Sequence, residues 1–200
     1  MLQSFFTWVL TNYIEIFGAL FGLLYIFLSI RQNIWCWPVG FITSALYVYV
    51  FFVTKFYADM GLQVYYLIVS VYGWYHWMYG GKSKQQDDLK PAWGNLRLYV
   101  ALTFAAIALF AAIAFILVKF TDSEIPYWDA FTTAGSFIAT WMLARKLIEN
   151  WLVWILVDTV ALGTYIYKEL YATVALFLVY VVLAILGYLQ WKRALNTSAS

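Results

Sequence analysis

Cysteine, histidine and charge are all scarce in this 200-residue chain. Cys36 is the sole cysteine and His76 the sole histidine. One thiol cannot form an intramolecular disulfide, which excludes a disulfide-stapled secreted domain. One thiol and one imidazole do not make a typical zinc set, so no metal is expected, and no other cofactor is. Asp, Glu, Lys and Arg supply 11% of the residues, against about 25% in a soluble domain. The net charge is +2 and no basic run exceeds two residues, which argues against nucleic acid as a partner. No glycine-rich phosphate loop follows a strand, and neither serine-nucleophile nor paired-aspartate spacing occurs, so the chain is not read as an enzyme.

What the chain holds instead is apolar and aromatic: 65% hydrophobic residues, 22% Phe, Trp and Tyr. The charges sit in short clusters between long uncharged stretches, so lipid is the solvent for most of the chain. A helix needs about 20 apolar residues to cross a bilayer. Seven candidate spans follow: Tyr13–Ile30, Ile34–Thr54, Ala58–Tyr79, Leu96–Val118, Trp128–Leu143, Trp151–Tyr167 and Tyr171–Trp191. These runs are too long and too apolar for alternating barrel strands. The N-terminus has no basic n-region and Glu15 interrupts the early apolar run, so no cleaved signal peptide is expected there. An odd number of spans places the termini on opposite sides. Nine basic residues then fall on one side (Arg31, Lys82, Lys84, Lys90, Arg97, Arg145, Lys146, Lys192, Arg193) and three on the other (Lys55, Lys119, Lys168). The positive-inside bias predicts an outside N-terminus and a cytoplasmic C-terminus. Tryptophans near the span ends (Trp35, Trp37, Trp74, Trp77, Trp128, Trp191) are expected in an interfacial belt.

The chain also matches itself at a constant offset of 114. Glu15 falls on Asp129, Phe17 on Phe131, Arg31 on Arg145, Trp37 on Trp151, Tyr66 on Tyr180, Gly73 on Gly187 and Trp77 on Trp191. Charged and glycine positions coincide as well as aromatic ones, which a chance match of aromatic-rich segments does not explain. The expected organisation is a first three-helix repeat over 12–79, a cytoplasmic polar linker over 80–95, a connecting transmembrane helix over 96–119 and a second three-helix repeat over 127–191. The fold class is thus an all-α integral membrane protein with seven transmembrane helices in a 3+1+3 parallel repeat. An even displacement in span number gives both triplets the same orientation. Two such bundles leave a cavity at their interface, the common plan of secondary transporters.

The chemistry concentrates in the sixth span. Trp151, Trp154 and Asp158 are at i, i+3 and i+7 and share one helix face. A carboxylate at a helix centre costs about 2.5–3.5 kcal/mol on insertion scales, so Asp158 faces a wet cavity or a partner. As function, the triad is an aromatic box with an acidic floor, suited to a flat ring, a cation, or hydroxyls. As structure, Asp158 would pair with a cation inside the bundle, yet no Lys or Arg lies near mid-span in any helix. On the third span, Gln63 and Tyr66 share a face, and Gln63 either binds substrate or bridges helices. Tyr66 and its counterpart Tyr180 are candidates for the cavity wall. Glu15 and Asp129 hold equivalent places on the outer side as candidate gate residues, though carboxylates there also simply favour the helix dipole. An intramembrane enzyme and a passive receptor are the rival classes. The first lacks a nucleophile–base pair, and the second needs no repeat with a mid-membrane acid.

The stretch Asn150-Trp151-Leu152-Val153-Trp154-Ile155-Leu156-Val157-Asp158 resembles the Trp-x-x-Trp-x-x-x-Asn/Asp signature of the PnuC family of vitamin transporters. Gly61-Leu62-Gln63, Tyr72-Gly73-Trp74-Tyr75-His76-Trp77 and Tyr127-Trp128-Asp129 resemble the same family. The resemblance runs from about residue 12 to 191, and its three-plus-one-plus-three plan is similar to that of the SWEET sugar transporters. It implies uptake of nicotinamide riboside across a bacterial inner membrane by facilitated diffusion, with intracellular phosphorylation trapping the vitamin for NAD biosynthesis. It also implies that Trp151 and Trp154 contact the pyridinium ring and Asp158 the polar end. Thiamine, likewise flat, cationic and hydroxyl-bearing, suits the same residues. The expected partners are thus a small cationic vitamin and the lipid bilayer, and a homo-oligomer is compatible with the sequence.

Overall fold

A computed structural model of the chain describes residues 13–53, 57–80 and 89–197, without the side chains at 13–16, 19, 57, 58 and 172. The side chain of Glu15, Lys55 and linker residues 81–88 therefore lie outside the described residues. Among the described residues seven helices follow one another: α1 Tyr13–Ile30, α2 Cys36–Val53, α3 Tyr57–Tyr79, α4 Leu96–Phe120, α5 Pro126–Ala144, α6 Asn150–Tyr167 and α7 Tyr171–Thr197. Four stretches are long and apolar enough to cross a membrane by length and composition: Cys36–Val53, Leu96–Phe120, Asn150–Tyr167 and Thr173–Thr197. The remaining helices, α1, α3 and α5, are shorter in their apolar runs or more polar. α5 carries Asp129, Thr132, Thr133, Ser136 and Thr140, and all five line an internal cavity rather than facing outward.

Sequence neighbours pack together, α1 on α2, α2 on α3, α5 on α6 and α6 on α7. Two further contacts join the triplets, α3 on α5 and α7 on α1, while α4 packs against α5. Of α4, only Ala114 is buried. Phe104, Ile107 and Phe115 stand exposed on it, an apolar surface that a bilayer covers.

The turns closing α1, α5 and α6 share one geometry. In each, a non-glycine residue takes a left-handed backbone: Gln32 (φ 55°), Lys146 (φ 53°) and Glu169 (φ 57°). After α1, the Gln32 N–H donates to Ser29 O (3.0 Å) and the Asn33 N–H to Leu28 O (2.9 Å). After α5, the Lys146 N–H donates to Leu143 O (2.9 Å) and the Leu147 N–H to Met142 O (3.0 Å). This paired pattern satisfies part of each helix end and leaves the final carbonyl over. The two turns lie 114 residues apart, and so do other contacts. Arg31 lies over the Phe27 ring at 5.0 Å and Arg145 over the Trp141 ring at 5.4 Å. Trp37 meets Trp77 edge-on at 5.4 Å and Trp151 meets Trp191 edge-on at 5.6 Å.

The core lies at the membrane end that carries Arg31, Arg145, Lys146 and Lys192, here termed the basic end. It comprises Ile30, Cys36, Trp37, Val69, Trp77, Leu143, Ala144, Ile148, Trp151, Ala184 and Trp191. This corrects the expectation of a uniform tryptophan belt. Trp35, Trp74 and Trp128 are exposed as a belt requires, but Trp37, Trp77 and Trp191 are buried between helices. The linker also differs from a free polar segment. Residues 89–95 are pinned to the α5–α6 turn by a parallel bridge between Ala92 and Leu147. The Gly94 N–H (2.7 Å) and the Tyr99 hydroxyl both donate to the Glu149 carboxylate, and the Lys146 ammonium donates to Leu89 O (2.6 Å).

Candidate binding cavity

A cavity of about 1410 Å³ lies between the helix triplets, and every helix contributes to its wall. At one end its lining reaches exposed Asp122 and Lys168, beyond the ends of α4 and α6. At the other it stops at buried Ser29, Leu143 and Trp151, on the tryptophan-rich core of the basic end.

The six residues singled out for substrate all line this one cavity: Gln63 and Tyr66 from α3, Trp151, Trp154 and Asp158 from α6, and Tyr180 from α7. α6 begins at the basic end, so Trp151 lies deepest, Trp154 one turn higher and Asp158 about 10 Å of helix rise from Trp151. Trp151 is buried at the cavity floor, its indole nitrogen without an acceptor. Trp154 is half-buried. Asp158 is 7% exposed, so its carboxylate is held away from bulk solvent. Among the described residues the one basic residue in the lining is Lys168, ten residues further along, which is about 15 Å of helix rise from Asp158.

Asp129 lines the cavity toward its open end, in the first turn of α5, and accepts a hydrogen bond from the Ser123 hydroxyl at 2.7 Å. Its position suits both a gate and a carboxylate that favours the helix N-terminus. The side chain of its counterpart Glu15 is outside the described residues. His76 is half-buried and stacks on Tyr72 at 5.6 Å.

Sequence reasoning passed over much of the polar wall. Thr132, Ser136 and Thr140 form a stripe at i, i+4 and i+8 along α5, and Ser44 faces the same space. The spacing of the α5 stripe was the available signal, since hydroxyls at one-turn intervals share a face. Thr140 returns its own proton to Ser136 O at 2.8 Å. Tyr65 was also unforeseen. Its hydroxyl donates to Phe137 O at 2.7 Å and its ring meets Phe137 at 4.2 Å, tying α3 to α5.

Among the described residues the charged lining is one-sided: carboxylates at Asp59, Asp122, Asp129 and Asp158 against the single ammonium of Lys168. With its low-dielectric walls, the chamber concentrates cations and repels anions. Two indoles beside a buried acid suit a flat cationic ring, through stacking and charge together.

The sequence model of a family described as nicotinamide mononucleotide transporter matches residues 12–193. The nicotinamide riboside transporter PnuC of Escherichia coli (strain K12) is 24% identical over 213 aligned positions, covering 94% of this chain and 89% of that protein. The riboflavin/roseoflavin transporter RibM of Streptomyces davaonensis is 29% identical over 147 positions, covering 73% of this chain and 68% of its own. The crystal structure of the vitamin B3 transporter PnuC superposes with a TM-score of 0.75 at 19% identity, covering 98% of this chain and 87% of that one. That likeness is one of fold.

Proposed function

The chain belongs to the nicotinamide mononucleotide transporter family, and from that membership and the chemistry of its cavity we propose that it carries nicotinamide riboside across a bacterial inner membrane by facilitated diffusion. The observation that carries this reading is Asp158, buried in the cavity wall on the same helix face as Trp151 and Trp154, with no lining cation near its depth. A buried carboxylate without a protein counter-ion is stabilised by a cationic ligand. A pyridinium ring supplies that charge and a flat face for the indoles, and its ribose offers hydroxyls to Gln63, Tyr66 and Tyr180.

The lining charges choose among related vitamins. Nicotinamide mononucleotide adds a phosphate carrying roughly two negative charges, which four lining carboxylates repel. Riboflavin, the substrate in the name of the RibM relative, brings no positive charge to Asp158. Thiamine is the second reading, because it is flat, cationic and hydroxyl-bearing and so meets the same wall. In this picture residues 12–79 and 127–191 act as two like-oriented triplets about the substrate, joined by the 80–95 linker and the helix over 96–119. The excess of basic residues at one end supports a cytoplasmic C-terminus and an outside N-terminus, so the described cavity opens outward.

Uptake into proteoliposomes containing the purified protein tests this. Nicotinamide riboside should equilibrate without ATP or an ion gradient, thiamine should compete to a measurable degree, and nicotinamide mononucleotide and riboflavin should move poorly. Preferential uptake of the mononucleotide would overturn the charge argument. Accumulation above equilibrium driven by a gradient would overturn facilitated diffusion.

A further inference from the structure

The carbonyls of Ser29 and Leu143 already accept from the Gln32 and Lys146 N–H groups, whereas the final carbonyls of α1 and α5, Ile30 O and Ala144 O, are left over by their own turns. Two indoles take them. The Trp77 N–H, from α3, donates to Leu143 O (3.3 Å) and Ala144 O (3.2 Å) at the end of α5. The Trp191 N–H, from α7, donates to Ser29 O (3.1 Å) and Ile30 O (3.2 Å) at the end of α1. Donors and acceptors are both related by the offset of 114. Each bond crosses between triplets, one in each direction: α3 reaches α5, and α7 reaches α1.

The four indoles form one continuous layer. Trp37 meets Trp77 at 5.4 Å, Trp77 meets Trp191 at 6.2 Å and Trp191 meets Trp151 at 5.6 Å. All four are at most 6% exposed, and the cavity ends against this layer, at Ser29, Leu143 and Trp151. The Lys146 ammonium lies 4.4 Å over the Trp77 ring and reaches Leu89 O, so the pinned linker covers the layer from outside.

From this arrangement we propose that Trp77 and Trp191 are the gate residues of the basic end, each latching one triplet to the terminal carbonyls of the other. The proposal rests on the transport reading, since a carrier must open the end now closed. Opening separates α3 from α5 and α7 from α1 there, and both indole bonds must break. Water then replaces the indoles at the carbonyls, so each bond contributes to the closed state only its net worth over hydration. The other two indoles carry the opposite sign. The nitrogens of Trp37 and Trp151 are buried without an acceptor in the closed state, and separation would give both access to water. Two satisfied donors hold the layer shut while two unsatisfied ones favour its opening, which keeps the closed state from becoming a trap.

Cys36 reports on this layer, because it is fully buried within the same cluster and is the chain's only cysteine. The experiment measures its alkylation by a membrane-impermeant maleimide in right-side-out and inside-out vesicles. Trp77 or Trp191 is replaced site-specifically by benzothienylalanine, which keeps the bicyclic shape and lacks only the N–H. Trp77→Phe and Trp191→Phe provide the genetically encoded counterpart. Each loss should speed alkylation about fivefold, and the pair about 25-fold, from the net worth of one buried hydrogen bond. The acceleration should occur from the face bearing the basic end. The same benzothienyl replacement at Trp37 should not accelerate it, because no bond is lost there. Unchanged rates at Trp77 and Trp191, or equal acceleration at Trp37, would overturn the gate. Wild-type uptake of nicotinamide riboside is measured in parallel, so failure of the transport reading shows as absent uptake whatever the Cys36 rates.

Discussion

Two glycine–tryptophan contacts are among the tight helix crossings, and adding one carbon at each gives a paired test of the fold and the site. A Cβ built on Gly73 would lie 2.5 Å from Cη2 and Cζ2 of Trp37, and one on Gly187 would lie 2.6 Å from Cδ2 and Cε3 of Trp151. Carbon atoms in contact prefer about 3.5–4.0 Å, so each ring must retreat by about 1 Å. Neither can do so freely, since Trp37 is 1% and Trp151 3% exposed, with Trp77 and Trp191 set edge-on against them. Overpacking of this kind costs about 1–3 kcal/mol, and a displacement of this size at a rigid bicyclic ring belongs at the upper end. Alanine returns about 1 kcal/mol through its helix propensity, leaving a net loss of about 2 kcal/mol. By the size scaling of soluble proteins, that lowers Tm by about 4–8 °C. Thermal unfolding of Gly73→Ala and Gly187→Ala in the same detergent should show similar losses. Calorimetric titration should then separate them. Gly187→Ala moves Trp151, which lines the cavity, and should weaken nicotinamide riboside binding by about 0.5–1.5 kcal/mol through lost stacking. Gly73→Ala moves Trp37, which is not among the lining residues, and should leave affinity near wild type. A Tm at or above wild type in either variant would show that the rings yield without cost. Equal affinity losses in both would remove Trp151 from the proposed binding wall.

Four other substitutions probe separate parts of the argument. Trp154→Ala should weaken nicotinamide riboside binding by about 1–3 kcal/mol in calorimetry, through loss of stacking and cation–π attraction; unchanged affinity would count against the aromatic box. Asp158→Asn should reduce discrimination between cationic and neutral ring ligands while leaving yield and Tm near wild type, since an amide is cheaper to bury than a carboxylate; loss of folded protein with selectivity intact would mark a structural acid. Glu149→Gln weakens the acceptor shared by the Gly94 N–H and the Tyr99 hydroxyl, so chymotrypsin should cut after exposed Trp93 several-fold faster, and an unaltered rate would mean the linker is held by other contacts. Gln32→Gly relieves a left-handed backbone at φ 55° and should stabilise by about 0.5–1 kcal/mol, the strain removed less the entropy glycine adds to the unfolded chain; a lower Tm would show that the Gln32 side chain matters more than its backbone.

Helix number and position were legible because lipid imposes a length and a composition on every span. The first span ends with α1 at Ile30, and the starts of the second, fourth, fifth, sixth and seventh spans differ from the helices by no more than two residues. The departures have local causes. α2 starts at Cys36 rather than Ile34, because the Asn33 side chain accepts from the Trp35 N–H at 2.9 Å and holds that stretch in a turn. α7 continues past Trp191 to Thr197, since a polar helical tail has no need of the bilayer. The cavity residues were legible as polar groups on shared helix faces within apolar runs. The closure of the basic end was not. A tryptophan anchored at an interface and one crossing to a neighbouring helix occupy the same place in a sequence, near the end of a span. Only three dimensions separate exposed Trp74 from buried Trp77, three residues away. The docking of residues 89–95 was hidden for a related reason, because a polar stretch reads as solvated until its hydrogen-bond partners are seen.

The positions related by 114 divide into two classes, and on the proposed reading of two like-oriented triplets the division lets a paired frame serve one asymmetric ligand. Residues that close and brace the bundle recur: Trp37 with Trp151, Gly73 with Gly187, Trp77 with Trp191. Of the residues assigned here to the substrate, Tyr66 and Tyr180 recur as a pair, whereas Gln63, Trp154 and Asp158 do not. Opposite Trp154 the chain places Gly40, and opposite Asp158 it places Ser44. All four line the cavity. Matching the pairs would defeat binding. A second carboxylate at 44 would add like-charge repulsion inside a low-dielectric chamber, and a single positive ligand could neutralise only one of the two. A second indole at 40 has no room, because even a Cβ there would lie 2.9 Å from two ring carbons of Tyr25. Symmetry in the latches lets both triplets close by the same bonds, and its loss at Trp154 and Asp158 leaves one ring-shaped space and one charge to fill.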